Sequence, residues 1–446
     1  MEIFELLTEL LRGKKWRELK DILTEMNEQD IAELFMELEE RDLTLIYRLL
    51  PKELAAEVFV NMEPEYQELL IRAFSDTELR EVLDELYVDD AVDLIEEMPA
   101  TLVKRILRHT DPDTRKSINE ILRYPEDSAG SLMTIEYVDL KRSLTVADAF
   151  TRIRRTGVDK ETIYTCYVTD SKRKLKGYVT VKDLLLADET ATIREIMEDN
   201  VISVNTHEDK EVVADLFQKY DLVVLPVVDR ENRLVGIITV DDAIDVLQEE
   251  ITEDMELMAG ITPTDKPYLK MGVFENFKKR IPWLMLLMVS ATFTEKIITY
   301  FEGALTSCVV LTAFIPMLTG TCGNCGNQSS STIIRGISLG EIEFKDTFKV
   351  VFKEFSIAIV CGIALAIVNF GKLMIFNDIG WKISLVVSIT MIAAVVFAKV
   401  VGSILPVIAK KIGFDPAVMS SPFISTIVDA VTLLIYFAIA SSVLNL

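Results

Sequence analysis

A single carboxylate lies in the middle of a long apolar stretch near the end of the chain. Asp429 is preceded by Ile424-Ser-Thr-Ile-Val428 and followed by Ala430-Val-Thr-Leu-Leu-Ile-Tyr436, with no basic residue within two helical turns. A carboxylate at membrane depth is costly unless it meets water, a proton or a cation. We therefore predict that Asp429 contacts a cation, and a structural hydrogen bond is the alternative.

A second polar motif interrupts an earlier apolar stretch, at Pro316-Met-Leu-Thr-Gly-Thr-Cys-Gly-Asn-Cys-Gly-Asn-Gln328. Its proline and three glycines predict a broken or bent helix, which membrane depth tolerates only around a cavity or within protein contacts. Amide oxygens suit a hard cation or its hydration water. Three side chains of the motif offer them, those of Asn324, Asn327 and Gln328.

Other kinds of metal chemistry are disfavoured by residue usage. Cys322 and Cys325 could form a redox pair or a thiolate site, but no second cysteine pair or nearby histidine completes one, so small polar packing is favoured. The chain has only two histidines, His109 and His207. Without an imidazole cluster, hard oxygen-liganded cations are the expected metals.

Charge and apolar residues are segregated along the 446 residues. Residues 1–270 hold 61 acidic and 34 basic side chains, a net charge of −27, whereas residues 271–446 carry +3. An acidic field of this size repels nucleic acid and concentrates cations, so no nucleic-acid partner is expected. A merely solvated acidic surface is the plainer interpretation of the same charge.

Residues 1–130 are predicted to form an acidic, all-α N-domain. Ile31, Leu34, Phe35 and Leu38 make one apolar stripe of helical period, and prolines interrupt the helices every ten to fifteen residues. Short amphipathic helices in series predict a compact helical array. A protein-interaction scaffold is the alternative.

Residues 131–250 contain an internal repeat. Leu175–Leu185 matches Leu234–Ile244 at a period of 59 residues, and each copy predicts helix, strand, turn, strand and helix. The repeated Gly-x-[Val/Ile]-Thr-Val-x-Asp signature resembles a tandem cystathionine-β-synthase (CBS) pair, an α/β regulatory module. That resemblance makes ATP a candidate regulator, although many such pairs stay empty. Its implied ribose-binding residues are Thr180, Asp183, Thr239 and Asp242.

Residues 241–270 form the predicted acidic connecting (plug) helix. From Asp241 to Glu256 there are eight acidic residues and no basic ones. Like charges spaced three or four residues apart weaken a helix by a few tenths of a kcal/mol per pair. We predict a helix that senses cations, because neutralisation would stabilise it, and a plain acidic linker is the alternative.

Residues 271–446 are predicted to form an α-helical transmembrane domain of five spans, since about 20 apolar residues cross the bilayer core. The spans are expected at about 282–301, 305–326, 350–376, 382–408 and 421–445. Basic residues concentrate on one side, which predicts a multi-pass plasma-membrane protein with cytoplasmic N-terminal domains and an outside C-terminus. The cytosolic flanks carry Lys278, Lys279, Arg280, Arg335, Lys345, Lys349, Lys353, Lys410 and Lys411.

Four motifs together resemble the MgtE family of Mg²⁺ transport proteins. They are Gly323-Asn-Cys-Gly-Asn-Gln328, Ile333-Ile-Arg-Gly-Ile-Ser-Leu-Gly-Glu-Ile342, Gly413-Phe-Asp-Pro-Ala-Val418 and Thr426-Ile-Val-Asp-Ala-Val-Thr-Leu-Leu-Ile-Tyr436. The resemblance covers essentially the whole chain in domain order. Cys322 and Cys325 depart from the glycine and threonine more usual in the family.

The resemblance implies a homodimeric, non-enzymatic Mg²⁺ channel whose pore lies between the second and fifth spans of both subunits. Cytosolic Mg²⁺ would close it by bridging the N-domain, the CBS pair and the connecting helix. The implied pore residues are Asp429, Asn324, Asn327 and, near the cytosolic mouth, Asp415. The implied regulatory positions are Glu57, Asp89, Asp93, Asp209, Glu211, Asp221, Asp242, Asp245, Glu250, Glu253 and Asp254. The alternative function is a membrane-bound cation or nucleotide sensor that signals to a partner without transport.

Overall fold

The computed structural model describes residues 2–264, 266, 268–376, 379–419 and 421–444. The chain divides into two compact units, Met1–Leu247 and Gln248–Leu446. The first unit begins with helices α1 Glu2–Arg12, α2 Trp16–Glu25, α3 Glu28–Met36, α4 Glu40–Tyr47, α5 Lys52–Val60, α6 Pro64–Ala73, α7 Asp76–Leu83, α8 Val88–Glu97, α9 Ala100–His109 and α10 Pro112–Ile121. The predicted all-α N-domain is confirmed.

Local capping chemistry delimits these short helices. The Ser75 hydroxyl oxygen accepts a hydrogen bond from the Glu78 backbone N–H, and the Glu78 carboxylate accepts one from the Ser75 backbone N–H, which starts α7. Asp111 caps α10 directly before Pro112, a residue that favours the first helical position. Each helix then buries one apolar face, as Phe35 and Leu43 do.

Two CBS repeats follow, as the internal repeat predicts. The first contains β1 Asp139–Lys141, α11 Val146–Thr156, β2 Thr165–Thr169, β3 Leu175–Thr180, α12 Val181–Leu186 and α13 Ile193–Ile196. The second contains β4 Val204–Asn205, α14 Lys210–Tyr220, β5 Val224–Val228 and β6 Leu234–Thr239. In each sheet the first strand runs parallel to the second, which pairs antiparallel with the third.

The N-domain and the second CBS repeat share one hydrophobic core. Phe59, Ile95 and Ile118 of the N-domain belong to the same buried cluster as Phe217 and Ile238 of the repeat. Burial of apolar surface is the main favourable term in folding, so this shared core is what brings α8 against the start of the next helix.

Helix α15 Val240–Met258 connects to the membrane part and is shorter than the predicted 241–270. It ends because Gly260 adopts a left-handed conformation, with φ of +69°. Leu257, near its last turn, is buried with Ile334 and Ala417.

The second unit contains α16 Val273–Tyr300, α17 Glu302–Ser307, a 3-10 segment Val309–Phe314, α18 Ile315–Ser338, α19 Thr347–Phe376, α20 Trp381–Ile412 and α21 Ser421–Leu444. Among the described residues, five helical stretches are long and apolar enough to cross a membrane. The predicted five-span domain is therefore confirmed in its number of candidate spans.

The expectation of a broken second span is wrong. Helix α18 is continuous, because Pro316 lies in its first turn, where a missing N–H costs nothing. The irregular backbone is instead the preceding 3-10 segment. The glycines serve close helix packing: a Cβ on Gly402 of α20 would lie 2.3 Å from the carbonyl oxygen of Gly326 in α18.

Candidate cation sites

The Asp429 carboxylate faces α18 from α21 and is half-buried. The two helices approach closely here because Gly323 has no side chain. A Cβ at that position would lie 3.7 Å from the Ser425 hydroxyl and 3.9 Å from Asp429 Oδ1. Within the described part of the chain, no hydrogen bond or ion pair holds the Asp429 carboxylate. It is therefore free to bind a ligand.

Asn327, one helical turn after Gly323 on α18, is also incompletely bonded. Its Nδ2 donates to the Ser425 hydroxyl over 3.3 Å. Its Oδ1 is buried without a donor among the residues that the structure covers. Ser425 is one helical turn before Asp429, so the two side chains share a face of α21. A carboxylate, a hydroxyl and an amide oxygen thus line one polar strip between α18 and α21.

The remaining predicted pore residues are open to the surface of the single chain. Asn324 and Gln328 are exposed on α18, and Asp415 is exposed before the short 3-10 turn Pro416–Met419. Asp415 Oδ1 accepts a hydrogen bond of 2.7 Å from the Ala417 backbone N–H, which holds that turn.

Sequence reasoning missed an ion pair buried in the membrane part. Lys399 of α20 and Glu354 of α19 are 3.7 Å apart, with side chains only 7% and 10% exposed. The Ser329 hydroxyl donates to Glu354 over 2.6 Å and accepts from Lys399 over 3.2 Å. In the sequence, both charged residues lie inside apolar stretches, and this was the signal that could have revealed the ion pair. Ser329 belongs to α18, so the pair joins three helices.

A second group of carboxylates, the acidic cluster, lies in the first unit. Its members are Asp89, Asp90 and Asp93 on α8, Asp241 and Asp242 at the start of α15, and Glu136 and Glu161 in the first CBS repeat. Only Asp89, Asp93 and Asp242 were expected from the sequence. The other four carry no local pattern, because segments far apart in the chain bring them together.

Burial and mutual repulsion raise the pKa values of five members of the acidic cluster. Loss of hydration, followed by repulsion from Asp242, raises the pKa of Asp90 to about 6 and that of Asp93 to about 7. Burial, followed by repulsion from Asp90, raises the pKa of Glu161 to about 7, and burial with repulsion from Asp241 raises that of Asp242 to about 6. Burial raises the pKa of Asp89 well above its ordinary value. The cluster lacks positive charge of its own.

Two oxygens of the cluster are incompletely bonded. Asp89 Oδ1 and Glu161 Oε2 are buried without a hydrogen-bond donor in the described structure. Unsatisfied buried oxygens are rare and costly. Nowhere among the described residues do three acidic, histidine or cysteine side chains converge tightly enough to coordinate one ion directly.

The other predicted regulatory residues are distributed over several elements. Asp209 caps α14, and its Oδ1 accepts 2.9 Å from the Glu211 backbone N–H. Asp221 ends the same helix at φ +51°. The helix has 11 residues, about 16 Å in length, so these residues cannot share one ion. Glu57 is exposed on α5, and Asp245, Glu250, Glu253 and Asp254 follow one another along α15.

The predicted nucleotide residues form helix caps in this structure. The Thr180 hydroxyl bonds to Asp183 Oδ2 at 2.5 Å, and the Thr239 hydroxyl bonds to Asp242 Oδ2 at 2.7 Å. Each pair starts the helix that follows it, α12 or α15. A ribose would have to compete with these local bonds. Asp242 would have to bind the ribose while it is also a member of the acidic cluster.

Three family models match consecutive parts of the chain. Residues 9–127 match the MgtE intracellular N domain, residues 129–189 and 193–249 match CBS domains, and residues 315–439 match a divalent cation transporter domain. With the five apolar helices, these matches define a membrane protein of the divalent-cation transporter class.

Full-length relatives identify the family. The chain is 38% identical over 443 residues to magnesium transporter MgtE of Thermus thermophilus, covering 98% of both chains. It is 33% identical to magnesium transporter MgtE of Bacillus subtilis, covering 98% of this chain and 96% of that one. The chain belongs to the MgtE family.

A solved structure supports the fold of the first unit. The cytosolic domain of the Mg²⁺ channel MgtE in complex with ATP matches with a TM-score of 0.52 and 42% identity. The match covers 54% of this chain and 98% of that one.

Removing one partner of the buried ion pair is expected to destabilise the membrane part. Lys399→Met leaves Glu354 charged and unpaired, so we expect a loss of about 3–5 kcal/mol, seen as a lowered unfolding temperature of the purified chain in detergent. The double variant Lys399→Met/Glu354→Gln should recover most of it. Lys353→Met, an exposed neighbour on α19, is the control. Equal destabilisation by the single and double variants would contradict a paired role.

The acidic cluster predicts a stability that falls as pH rises. Its native pKa values, about 6 to 7, lie above the ordinary value near 4, so the folded state binds more protons in that interval. Without divalent cations, the first unit of the full chain should therefore lose stability between about pH 4 and pH 7. Hydrogen exchange of α8 measures this effect.

Saturating Mg²⁺ should flatten that pH dependence, since the ion replaces the protons. Asp89→Asn combined with Asp242→Asn should also flatten it. The hydrogen bond from Arg48 lowers the pKa of Glu78 to about 2. Glu78 therefore makes the stability rise with pH, but only at lower pH. A slope that is unchanged in the double variant would show that other groups cause it.

Proposed function

We propose that the chain admits Mg²⁺ through a path lined by Asp429, and that the acidic cluster closes this path when cytosolic Mg²⁺ is abundant. The observation that carries the first part is the unpartnered Asp429 carboxylate on the helix face that also carries Ser425, the partner of the incompletely bonded Asn327. Relatives named magnesium transporters, similar over nearly the whole chain, support the identity of the ion.

The polar strip suits a hydrated ion. One carboxylate, one hydroxyl and amide oxygens are too few to replace the full shell of Mg²⁺, which gives up water reluctantly. Selection would then depend on the size of the hydrated ion. The membrane potential supplies the driving force, about 2.3 kcal/mol per charge per 100 mV.

A homodimer would complete the site. In one chain the strip is open on the side of the exposed Asn324 and Gln328. A second copy related by two-fold symmetry would present the same strip and a second Asp429. In this arrangement the N-terminal domains are cytoplasmic and the C-terminus is outside, consistent with the basic cytosolic flanks.

Gating follows from repulsion in the acidic cluster. Without Mg²⁺, carboxylates on α8 and α15 disfavour their own proximity, and bound ions would offset this repulsion. A shift from 1:99 to 99:1 requires about 5.5 kcal/mol of differential binding, which several weak sites can share. Helix α15 carries Asp242 near its first turn and Leu257 near its last, and Leu257 contacts Ile334 of α18. One helix thus connects sensor residues to the pore helix.

ATP is a further candidate regulator. The cytosolic domain of a solved relative is in complex with ATP. Thr180 with Asp183, or Thr239 with Asp242, would hold the ribose here.

Transport is tested by Mg²⁺ flux into liposomes that contain the purified chain. Asp429→Asn should reduce flux to that of empty liposomes, because the amide cannot offset the charge of the ion. Glu302→Gln removes an exposed carboxylate on α17 and should retain wild-type flux. Wild-type liposomes without flux would favour a sensor that signals without transport. Full flux in Asp429→Asn would remove that residue from the path.

Gating is tested by proteolysis of the full chain at increasing Mg²⁺. The segment after α15 should become protected through the millimolar range as the cluster binds ions. Asp89→Asn combined with Asp93→Asn should protect it even without Mg²⁺, because repulsion is reduced. Asp84→Asn, an exposed acid of the N-domain, is the control. An identical Mg²⁺ response in the cluster variant would refute the sensor.

A further inference from the structure

A small basic cavity lies in the first CBS repeat. Its volume is about 320 Å³, within the range of small-ligand sites. It lies where β2 and β3 approach their connecting turn. Its polar lining comes from Tyr137, Asp139, Arg152, Thr156, Lys160, Thr169 and Arg173.

The cavity has the opposite charge to its surroundings. Three of its described lining residues are basic and only Asp139 is acidic. Arg152 already bonds to Asp139, and Lys141 Nζ lies 3.1 Å from the same carboxylate. Positive charge therefore remains after Asp139 is counted, in a part of the chain with a net charge of −27.

The donors are held in place before any ligand binds. Arg173 adopts a left-handed backbone conformation in the turn, with φ of +62°. Its guanidinium donates to the Tyr137 hydroxyl over 3.0 Å and to the Leu234 carbonyl over 3.3 Å. A guanidinium has five N–H donors, so several remain for a ligand. Lys160 has no ion-pair partner among the described side chains.

The cavity is separate from the predicted nucleotide residues. In the β2–β3 ladder, Thr165 pairs with Thr180 at one end and Thr169 pairs with Leu175 at the other. Four residues of strand separate these ends by about 13 Å. Leu234 and Thr239 likewise lie at opposite ends of β6.

We propose that this cavity binds a small phosphate-class anion, either inorganic phosphate or the phosphoryl group of a small metabolite. Arginine and lysine donors around a polar cavity match the charge and the acceptor oxygens of a phosphoryl group. The threonine and tyrosine hydroxyls supply further donors.

The anion site is connected to the acidic cluster through the backbone. Tyr137 follows Glu136, and Lys160 precedes Glu161. The Glu161 backbone N–H donates to the Glu136 carbonyl over 3.0 Å, which ties the two segments together. An anion here adds negative charge beside the cluster and so increases its affinity for divalent cations. The effect is reciprocal. This coupling, but not anion binding itself, rests on the proposed sensor function.

Anion binding is tested by calorimetry of the full chain in detergent with inorganic phosphate, and separately with AMP. One phosphate should bind per chain. Lys160→Ala and Arg173→Gln should each weaken it at least about tenfold, since each removes a charge-assisted hydrogen bond. Lys172→Ala in the same turn and Asp183→Asn should bind as the wild type does. No phosphate binding, or binding that survives both cavity variants, would overturn the site. AMP binding lost only in Asp183→Asn would assign the anion to the nucleotide cleft instead.

Coupling is tested by the Mg²⁺ midpoint of proteolytic protection, at matched free Mg²⁺. Phosphate should lower that midpoint at least about fivefold in the wild type and not in Lys160→Ala. Asp89→Asn should abolish the shift and keep phosphate binding. Phosphate binding without a shift would refute the coupling while leaving the site. A normal Mg²⁺ response without phosphate binding would refute the site while leaving the sensor.

Discussion

The acidic cluster depends on one constraint, the repulsion among its carboxylates. Hydrophobic burial forces these like charges together. The shared core of the N-domain and the second CBS repeat brings α8 against the start of α15. Seven acidic side chains then meet, five of them with raised pKa values, and two of their oxygens are unsatisfied. Apolar burial and charge repulsion oppose each other, so the balance responds to whatever neutralises the carboxylates. Protons and divalent cations both do so, which makes this region sensitive to ionic conditions.

In the described membrane part, the Glu354 carboxylate has a charged partner, whereas the Asp429 carboxylate has none. Glu354 has Lys399 and Ser329 as close partners, and this network joins three helices. Asp429 has a glycine and two polar neighbours but no partner charge. Because burial of an unpaired charge is costly, the contrast distinguishes a carboxylate held by partners from one that is open to a ligand.

Helix α15 leads from the acidic cluster into the membrane part, where small residues allow close helix packing. Gly326 and Gly402 let α18 and α20 approach to backbone contact. Leu257 at the end of α15 is buried against α18. The basic cavity lies one residue along the chain from Glu136 and from Glu161, so an anion there would act on the same electrostatic balance.

The sequence by itself determined the order of domains, the five apolar helices, the repeated CBS unit and the polar motifs around Asn327 and Asp429, because periodicity and composition report local structure directly. It misjudged the continuity of α18 and the end of α15, since the cost of a proline or glycine depends on its position in the helix. Only the tertiary structure brought Glu161 to Asp89, Lys399 to Glu354 and Lys160 to Arg173. These pairs come from distant segments, and side-chain proximity across a fold leaves no local pattern in the chain.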